Sequence, residues 1–248
     1  MSEASKDAEV ERPLDLSEKG RRGKDIISLD RRLFMKFTAF TDVDSDDQTK
    51  AIAALAASGL TAAVYADLND PYGIGVMVAS EDPAAFATTL RDVFNSDPWD
   101  DFDHKPEFDM LGRSYSIGYE PDLEGTLIRW PQKKLIDPRN EWVVWYPLQR
   151  AKSFYVLPKE RQMSILGEHG TLAKRYGAGG HATDIRLACH GLDKLDNDFV
   201  VGLLGPNLHP LSAVVQEMRR TEQTSQYLDR LGPFFIGKVI WQSEAASG

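Results

Sequence analysis

The sequence lacks most of the features that mark an exported, membrane-spanning or disulfide-bonded protein. It has a single cysteine, Cys189, among 248 residues, which excludes an internal disulfide and fits a reducing compartment. No apolar run approaches the roughly 18 residues that a membrane helix needs. The polar stretch 1–25 has no apolar signal core, so export is not indicated. We therefore expect a cytoplasmic protein that does not associate with membranes.

The sequence also lacks the common cofactor and metal signatures. No G-x-G-x-x-G follows a strand, and there is no phosphate-binding loop, no H-E-x-x-H and no cysteine pair. A net charge of −9 argues against a nucleic-acid surface, although it permits a local basic pocket. The histidines show no tight metal-ligand spacing: they are His104, His169, His181, His190 and His209.

What the sequence does contain is an ordered series of periodic segments. In the first half, alternating or apolar runs predict strands at 33–40, 61–67, 73–79 and 108–119. An Ala-rich segment at 46–58 and a segment opened by Asp82 and Pro83 predict the two helices. The order is βαββαβ, which is the ferredoxin-like arrangement.

The second half repeats that order. Strands are predicted at 142–149, 184–190, 199–204 and 233–240, with helices at 158–176 and 211–229. Each half would form a four-stranded antiparallel sheet with helices on one face, and the bare faces of the two sheets would bury each other. We predict an α+β fold in which duplicated ferredoxin-like (βαββαβ) repeats form a dimeric α+β barrel.

The predicted domain organisation follows from these elements. Residues 1–28 are charged and poor in apolar residues, which predicts a disordered N-terminal tail. Residues 29–120 form the first repeat, to which we assign an assembly role, and residues 121–141 form a linker. Residues 142–248 form the second repeat.

The candidate chemistry lies in the second repeat. His169 falls on the apolar stripe of the 158–176 helix, so it is either a satisfied core residue or a ligand directed at something buried. Tyr146 lies on an aromatic strand, and core packing is the plain alternative for it. Arg150 and Arg219 would by default be solvated. Together, a helix histidine over an apolar sheet face with cations at its rim suits a flat apolar cofactor with carboxylate arms, such as haem.

The second half resembles the chlorite dismutase family, and in particular its coproheme decarboxylase branch. The resemblance rests on YPLQR at 146–150, on LPKERQMSILGEHGTLAKRY at 157–176, on the Gly-Leu-Asp turn at 191–193 and on GPFFIG at 232–237. It implies that His169 is the proximal iron ligand and that Tyr146 forms the radical that attacks a propionate. It also implies that Arg219 and Thr224 help to hold a propionate.

Two positions depart from the family pattern. Arg150 stands where the branch carries a lysine, so the positive charge is kept but proton donation is not plausible. Asp184 stands where chlorite-degrading members carry an arginine and decarboxylases often carry glutamine. Arg186 could take that distal role, Asp184 could act as acid–base for peroxide, or the two could simply pair in solvent. Glu222 is a weak candidate acceptor for the His169 imidazole.

The resemblance implies a haem-dependent oxidoreductase. We expect peroxide-dependent oxidative decarboxylation of iron-coproporphyrin III to haem b, in a homo-oligomer with a pentamer as the first expectation. Alternatives are a haem-dependent peroxidase or chlorite dismutase-like enzyme, a haem-binding protein without turnover, and a structural barrel without a cofactor.

Overall fold

The computed structural model of the chain describes residues 13–244. Within this range the strands, numbered in chain order, are β1 Glu18–Arg22, β2 Asp25–Leu29, β3 Phe34–Thr41, β4 Thr61–Asp67, β5 Ile74–Ser80, β6 Asp103–His104, β7 Met110–Arg113, β8 Trp142–Arg150, β9 Thr183–Ala188, β10 Phe199–Gly205, β11 Leu228–Leu231 and β12 Phe235–Gln242. The α-helices are α1 Ser45–Ala57, α2 Ala84–Ala87, α3 Thr89–Phe94, α4 Trp130–Leu135, α5 Lys152–Tyr155, α6 Lys159–Ala178, α7 Leu208–Met218 and α8 Glu222–Gln226.

The main sheet closes on itself. Its strands follow the order β10-β9-β7-β3-β5-β4-β12-β8, and β8 pairs again with β10. The first repeat supplies β3, β4, β5 and β7, and the second supplies β8, β9, β10 and β12. β11 extends the last strand by pairing with the end of β8. The predicted duplicated α+β barrel is confirmed.

The barrel interior is filled by large apolar side chains from both repeats. Phe37 and Phe235 pack edge to face with their ring centroids 4.8 Å apart, and Trp145 lies 6.2 Å from Phe37. Trp145 fits because its neighbour on β10 is a glycine: a Cβ at Gly202 would lie 2.3 Å from Trp145 Cζ3. Cys189 is also fully buried in this core, so function is left to the outer faces of the sheet.

The two outer faces are covered to different degrees. On the first repeat, α1 buries Ala51 and Leu55 completely, and Trp99 packs with Phe40 and Phe94 on the same face. On the second repeat, α6 has 20 residues but buries only Ile165. The longest helix of the described chain is therefore the one that packs least closely on its sheet.

Two predicted segments have more structure than expected. Residues 18–29 form the β1–β2 hairpin rather than part of a disordered tail. The hairpin is held because Glu18 accepts hydrogen bonds from Arg113 and Ser116. Residues 1–12 of the predicted tail lie outside the described range. The predicted linker contains a π-helix, Gly125–Arg129, followed by α4, and it buries Leu127, Ile128 and Leu135 in the barrel core.

Two other predicted segments are shorter than expected. The strand predicted at 108–119 ends at Arg113, and the chain continues as an irregular segment to residue 120. The helix predicted at 211–229 is divided into α7 and α8. The division occurs because the Thr221 hydroxyl donates to the Met218 carbonyl over 2.7 Å, which satisfies the end of α7. Among residues 13–244, no helix has both the length and the apolar character needed to cross a membrane.

The close approach at Gly202 predicts a strong effect of one added methyl group. We expect Gly202→Ala to lower the free energy of unfolding by about 1–3 kcal/mol or more, because the core cannot take the extra volume. Urea unfolding followed by tryptophan fluorescence measures this. Gly167→Ala is the matched control: a Cβ there meets nothing within 4 Å, so it should stabilise the helix by up to about 1 kcal/mol. Equal effects at the two positions would contradict the packing argument.

Candidate functional site

The candidate site is built on the outer face of β8, β10 and β9. Tyr146 pairs with Val201, and Val201 pairs with Arg186, so these three residues form one row across the strands. Paired residues of antiparallel strands direct their side chains to the same face of the sheet. The next row places Asp184 on this face too. Arg150, four residues after Tyr146 on β8, has the same orientation because side chains alternate along a strand.

His169 faces this surface from α6. Its Nδ1 atom is buried and has no hydrogen-bond partner. Burial, together with the smaller effect of the Arg186 and Arg150 charges, lowers the pKa of His169 to about 4. The α6 histidine is therefore close enough to the charged β8 and β9 side chains to feel their charge. A neutral imidazole with a free ring nitrogen is the form that binds a metal.

Tyr146 is a buried phenol in that site. It is 9% exposed, and its ring packs against Phe234 with the centroids 4.7 Å apart. Burial raises the pKa of Tyr146, and the nearby negative charge of Asp184 raises it further. The hydroxyl therefore keeps its proton in the resting protein.

Arg150 is held between two aromatic rings. Its guanidinium carbon lies 4.7 Å from the centre of the Phe154 ring and 4.5 Å from that of Phe199. Its Nε atom is buried without a hydrogen-bond partner, and within residues 13–244 its guanidinium forms no salt bridge. A half-buried arginine with an unused Nε donor is suited to bind a carboxylate from a ligand.

Asp184 and Arg186 form an ion pair at the edge of the site. Arg186 Nε lies 3.1 Å from Asp184 Oδ2, as the plainest of the three alternatives expects. Lys134, on α4, approaches Asp184 from the other side, with its Nζ 3.6 Å from Oδ1. Desolvation lowers the pKa of Lys134. The pair is not remote from the site, because its charges act on both His169 and Tyr115.

Tyr115 is a site residue that sequence reasoning missed. It follows β7 in the first repeat, and its ring centroid lies 5.5 Å from that of Phe199, which also stacks on Arg150. Burial raises its pKa, while Arg186 and Arg150 act in the opposite direction. No local pattern could have identified Tyr115, because it reaches the site only through the β7–β9 pairing that joins the repeats.

Three other candidates are placed less directly. Arg219 is exposed at the end of α7, and in the described part of the chain its side chain makes no hydrogen bond or salt bridge. Thr224 lies on α8 with its Oγ1 3.4 Å from Thr221 Oγ1. Glu222 is paired with Arg161 rather than with His169, so the weak prediction that it orients the imidazole is wrong for this structure.

The site has the donor set for an iron porphyrin rather than for a bare metal ion. Over residues 13–244, no three His, Cys, Asp or Glu side chains are grouped so that they could hold a metal. His169 would therefore contribute one ligand to an iron that brings its other ligands with it, as the pyrrole nitrogens of a porphyrin do. The half-covered apolar face, the neutral His169 imidazole and the Arg150 guanidinium, which forms no salt bridge within residues 13–244, all fit that group.

Known proteins resemble this chain in sequence over its second half and in fold over most of its length. The chlorite dismutase family profile matches residues 129–240, which include part of the predicted linker and most of the second repeat. The resemblance to the chlorite dismutase family is confirmed. Among curated proteins, the coproheme decarboxylase of Mycolicibacterium smegmatis is 28% identical over 105 residues, or 42% of each chain. The match thus spans about two fifths of that relative's length.

Two solved structures share the barrel fold. A novel haem-binding protein from Thermus thermophilus superposes with a TM-score of 0.68 at 17% identity, over 85% of this chain and 92% of that one. A chlorite dismutase variant from Candidatus Nitrospira defluvii, in complex with cyanide, gives 0.63 at 15% identity over the same shares. At these identities the two structures establish the fold.

The depressed pKa of His169 predicts a pH-dependent stability. Between pH 6.5 and about 4 the unfolded chain binds a proton at this residue that the folded chain does not bind. The contribution of the neutral His169 side chain to the free energy of unfolding is therefore complete above pH 6.5 and is lost as the pH falls towards 4. In the ligand-free protein, we expect His169 to lower the free energy of unfolding by roughly 1–2 kcal/mol between pH 7 and pH 5.

The measurement is urea unfolding of wild type and His169→Gln at both pH values. The variant removes the titrating group while the carboxylates, which also titrate, stay the same. The loss of stability between pH 7 and pH 5 should be smaller in the variant. Identical pH dependence in the two proteins would mean that His169 is solvated in the folded state.

Proposed function

We propose that this protein is a coproheme decarboxylase, which converts iron-coproporphyrin III to haem b with hydrogen peroxide. The observation that carries the proposal is the convergence of His169, Tyr146 and the unpaired Arg150 on one half-covered face. The family match over this repeat and the named M. smegmatis relative support it. In this proposal the porphyrin is both substrate and redox centre.

The overall reaction balances with one peroxide for each propionate. The propionate side chain loses its carboxylate as CO₂ and one hydrogen from its β-carbon, and becomes a vinyl group. Peroxide accepts the two electrons and, with protons, becomes two waters. The bound iron porphyrin supplies the site at which peroxide is reduced.

His169 would hold the iron through Nε2 of its imidazole ring. Because burial keeps the ring neutral down to about pH 4, the ligand would be available across the physiological range without competition from a proton. The apolar rows of the sheet would pack against the flat ring. The hydrophobic contribution of these rows is non-directional, so the orientation of the porphyrin in the site would depend on the charged residues.

Tyr146 would carry the oxidising equivalent to the propionate. Its raised pKa means that it does not ionise first, so oxidation removes its electron together with its proton. The resulting phenoxyl oxygen would abstract a hydrogen from the propionate β-carbon. The neighbouring Asp184 carboxylate is the group that could accept the phenol's proton.

Arg150 would position the carboxylate for that step. The two phenylalanine rings restrict the guanidinium, and a misplacement of ~1 Å at a reacting group can cost ~10²-fold in rate. Arg219 and Thr224 are proposed to contact a second propionate. On the distal side, Asp184 would act as acid–base for peroxide, or Arg186 would take the distal role instead.

We further propose that the first repeat serves assembly. Its outer face is filled by its own aromatic side chains, and the titratable groups of the site come mainly from the second repeat. A closed homo-oligomer, with a pentamer as the first expectation, would use the helix-bearing surface of this repeat. We place the protein in the cytoplasm, where coproheme would be its partner and substrate.

The radical assignment is tested by Tyr146→Phe. The ring and its packing on Phe234 are kept, so folding and coproheme binding should survive, while peroxide should yield no haem b. Product masses are followed through a peroxide titration. Tyr72→Phe, at an exposed turn, is the matched control and should behave as wild type.

Tyr115→Phe separates the two buried phenols of the site. If Tyr115→Phe abolishes turnover while Tyr146→Phe does not, the roles are exchanged. Haem b formation at the wild-type rate in Tyr146→Phe refutes the radical assignment. If wild type makes none, the alternatives of a haem-dependent peroxidase or a non-catalytic haem-binding protein take its place.

A chlorite dismutase-like activity is the second candidate function, and substitution of Arg186 tests it. Arg186 Nε is paired with Asp184 at 3.1 Å, so a carboxylate already offsets part of the charge that would bind an anion. We expect negligible oxygen release from chlorite by the haem-loaded protein, measured with an oxygen electrode. Rapid oxygen release that Arg186→Ala abolishes would favour the chlorite activity over decarboxylation.

A further inference from the structure

A lysine from the predicted linker reaches the edge of the candidate site. Lys134, on α4, donates a hydrogen bond from its Nζ to the main-chain carbonyl of Asp184, and the same Nζ lies 3.6 Å from Asp184 Oδ1. The other carboxylate oxygen, Oδ2, faces Arg186 Nε at 3.1 Å. Two cations from different parts of the chain therefore hold the Asp184 carboxylate from two sides.

Lys134 is the better fixed of these two cations. Its side chain is 34% exposed, whereas that of Arg186 is 57% exposed. Its main chain is also fixed, because the Asn140 side-chain amide donates to the Lys134 carbonyl over 2.9 Å, and the next residue, Leu135, is fully buried in the barrel core. Exposed ion pairs hold their partners weakly, so the lysine contributes more than the arginine to the position of the carboxylate.

The contact lies where the barrel wall is least continuous. Over residues 13–244, β9 pairs with β7 at a single position, Arg113 with Ala188. Main-chain groups at the edge of a strand need partners other than a neighbouring strand. At the start of β9, Lys134 on α4 supplies such a partner to the Asp184 carbonyl. One lysine thus fixes both the main chain and the side chain of Asp184.

We propose that Lys134 is the positioning residue for Asp184, and that it holds the carboxylate on the face that carries Tyr146, where Asp184 can accept a proton. This inference rests on the proposed function, in which Asp184 acts as acid–base on the distal side. The electrostatics of the pair support it. Burial lowers the pKa of Lys134, while the Asp184 carboxylate acts in the opposite direction, so the lysine depends on this carboxylate to keep its charge.

The positioning role has a consequence that needs no turnover. Hydrogen cyanide binds ferric haem as its anion, so its proton must pass to a base. If Lys134 places Asp184 for that transfer, removal of the lysine slows cyanide binding although His169 is unchanged. Because a misplacement of ~1 Å at a reacting group can cost ~10²-fold in rate, we expect Lys134→Met to slow cyanide association by about 10-fold or more.

The experiment follows cyanide association with the haem b-loaded protein by the change in Soret absorption. Wild type, Lys134→Met, Asp184→Asn and the double variant form a double-mutant cycle. Each single variant should be slow, and the double variant should be no slower than Asp184→Asn, because the lysine acts through the carboxylate. Lys133→Met is the matched control on the same helix: Lys133 is exposed and forms no hydrogen bond or salt bridge within residues 13–244, so the wild-type rate is expected.

Two further variants separate the charge of Lys134 from its main-chain contact. In Lys134→Gln, the side-chain amide can still donate to the Asp184 carbonyl but carries no charge, so cyanide association should be slow. Lys134→Arg keeps the charge and should recover part of the rate. Thermal unfolding of all variants checks the fold. If Lys134→Met does not fold, the glutamine and arginine variants decide the question.

The outcomes separate this inference from the proposed function. A wild-type rate in Lys134→Met, or an equal slowing by this substitution with and without the Asp184 carboxylate, overturns the positioning role. Haem b formation from coproheme is scored separately by product mass. If wild type makes no haem b while the cycle shows that Lys134 acts through Asp184, the proposed function is rejected and the positioning role is kept. Haem b formation with independent effects of the two substitutions has the opposite meaning.

Discussion

The pairing of β8 with β10 closes the sheet, and the position of the site depends on that closure. Once the strands form a ring, their inner side chains must fill a volume that is shared by both repeats, and Phe37, Trp145 and Phe235 do so. Nothing polar enough for catalysis can be placed there without burying unsatisfied groups. The chemistry is therefore confined to the outer faces, where helices cover the sheet.

The two outer faces show how one fold can be used in two ways. In the first repeat, α1 and the ring of Trp99 complete an apolar core. In the second repeat, the corresponding face carries Tyr146, Asp184 and Arg186 between apolar rows, and α6 remains loosely packed above it. The family match covers residues 129–240, which lie in the predicted linker and in this second repeat. The repeat with a satisfied core is the one to which we assign assembly.

Desolvation prepares the site for a ligand. It lowers the pKa of His169 and raises those of Tyr146 and Tyr115, so the histidine and both phenols are neutral at rest. Arg150 Nε is buried without a hydrogen-bond partner, and in the proposed function the guanidinium would bind a carboxylate arm of the porphyrin.

The sequence alone determined the βαββαβ order and its duplication. It also determined that His169 lies on the apolar face of its helix, because periods of 2 and 3.6 residues report which side chains share a face. It also placed Tyr146 and Arg150 on one side of β8. Only the tertiary structure could bring Tyr115 from the first repeat and Lys134 from the predicted linker to the site. It alone could also show that the Glu222 carboxylate forms an ion pair with Arg161. These contacts join residues far apart in the chain, and local periodicity contains no information about which distant segments the closed barrel brings together.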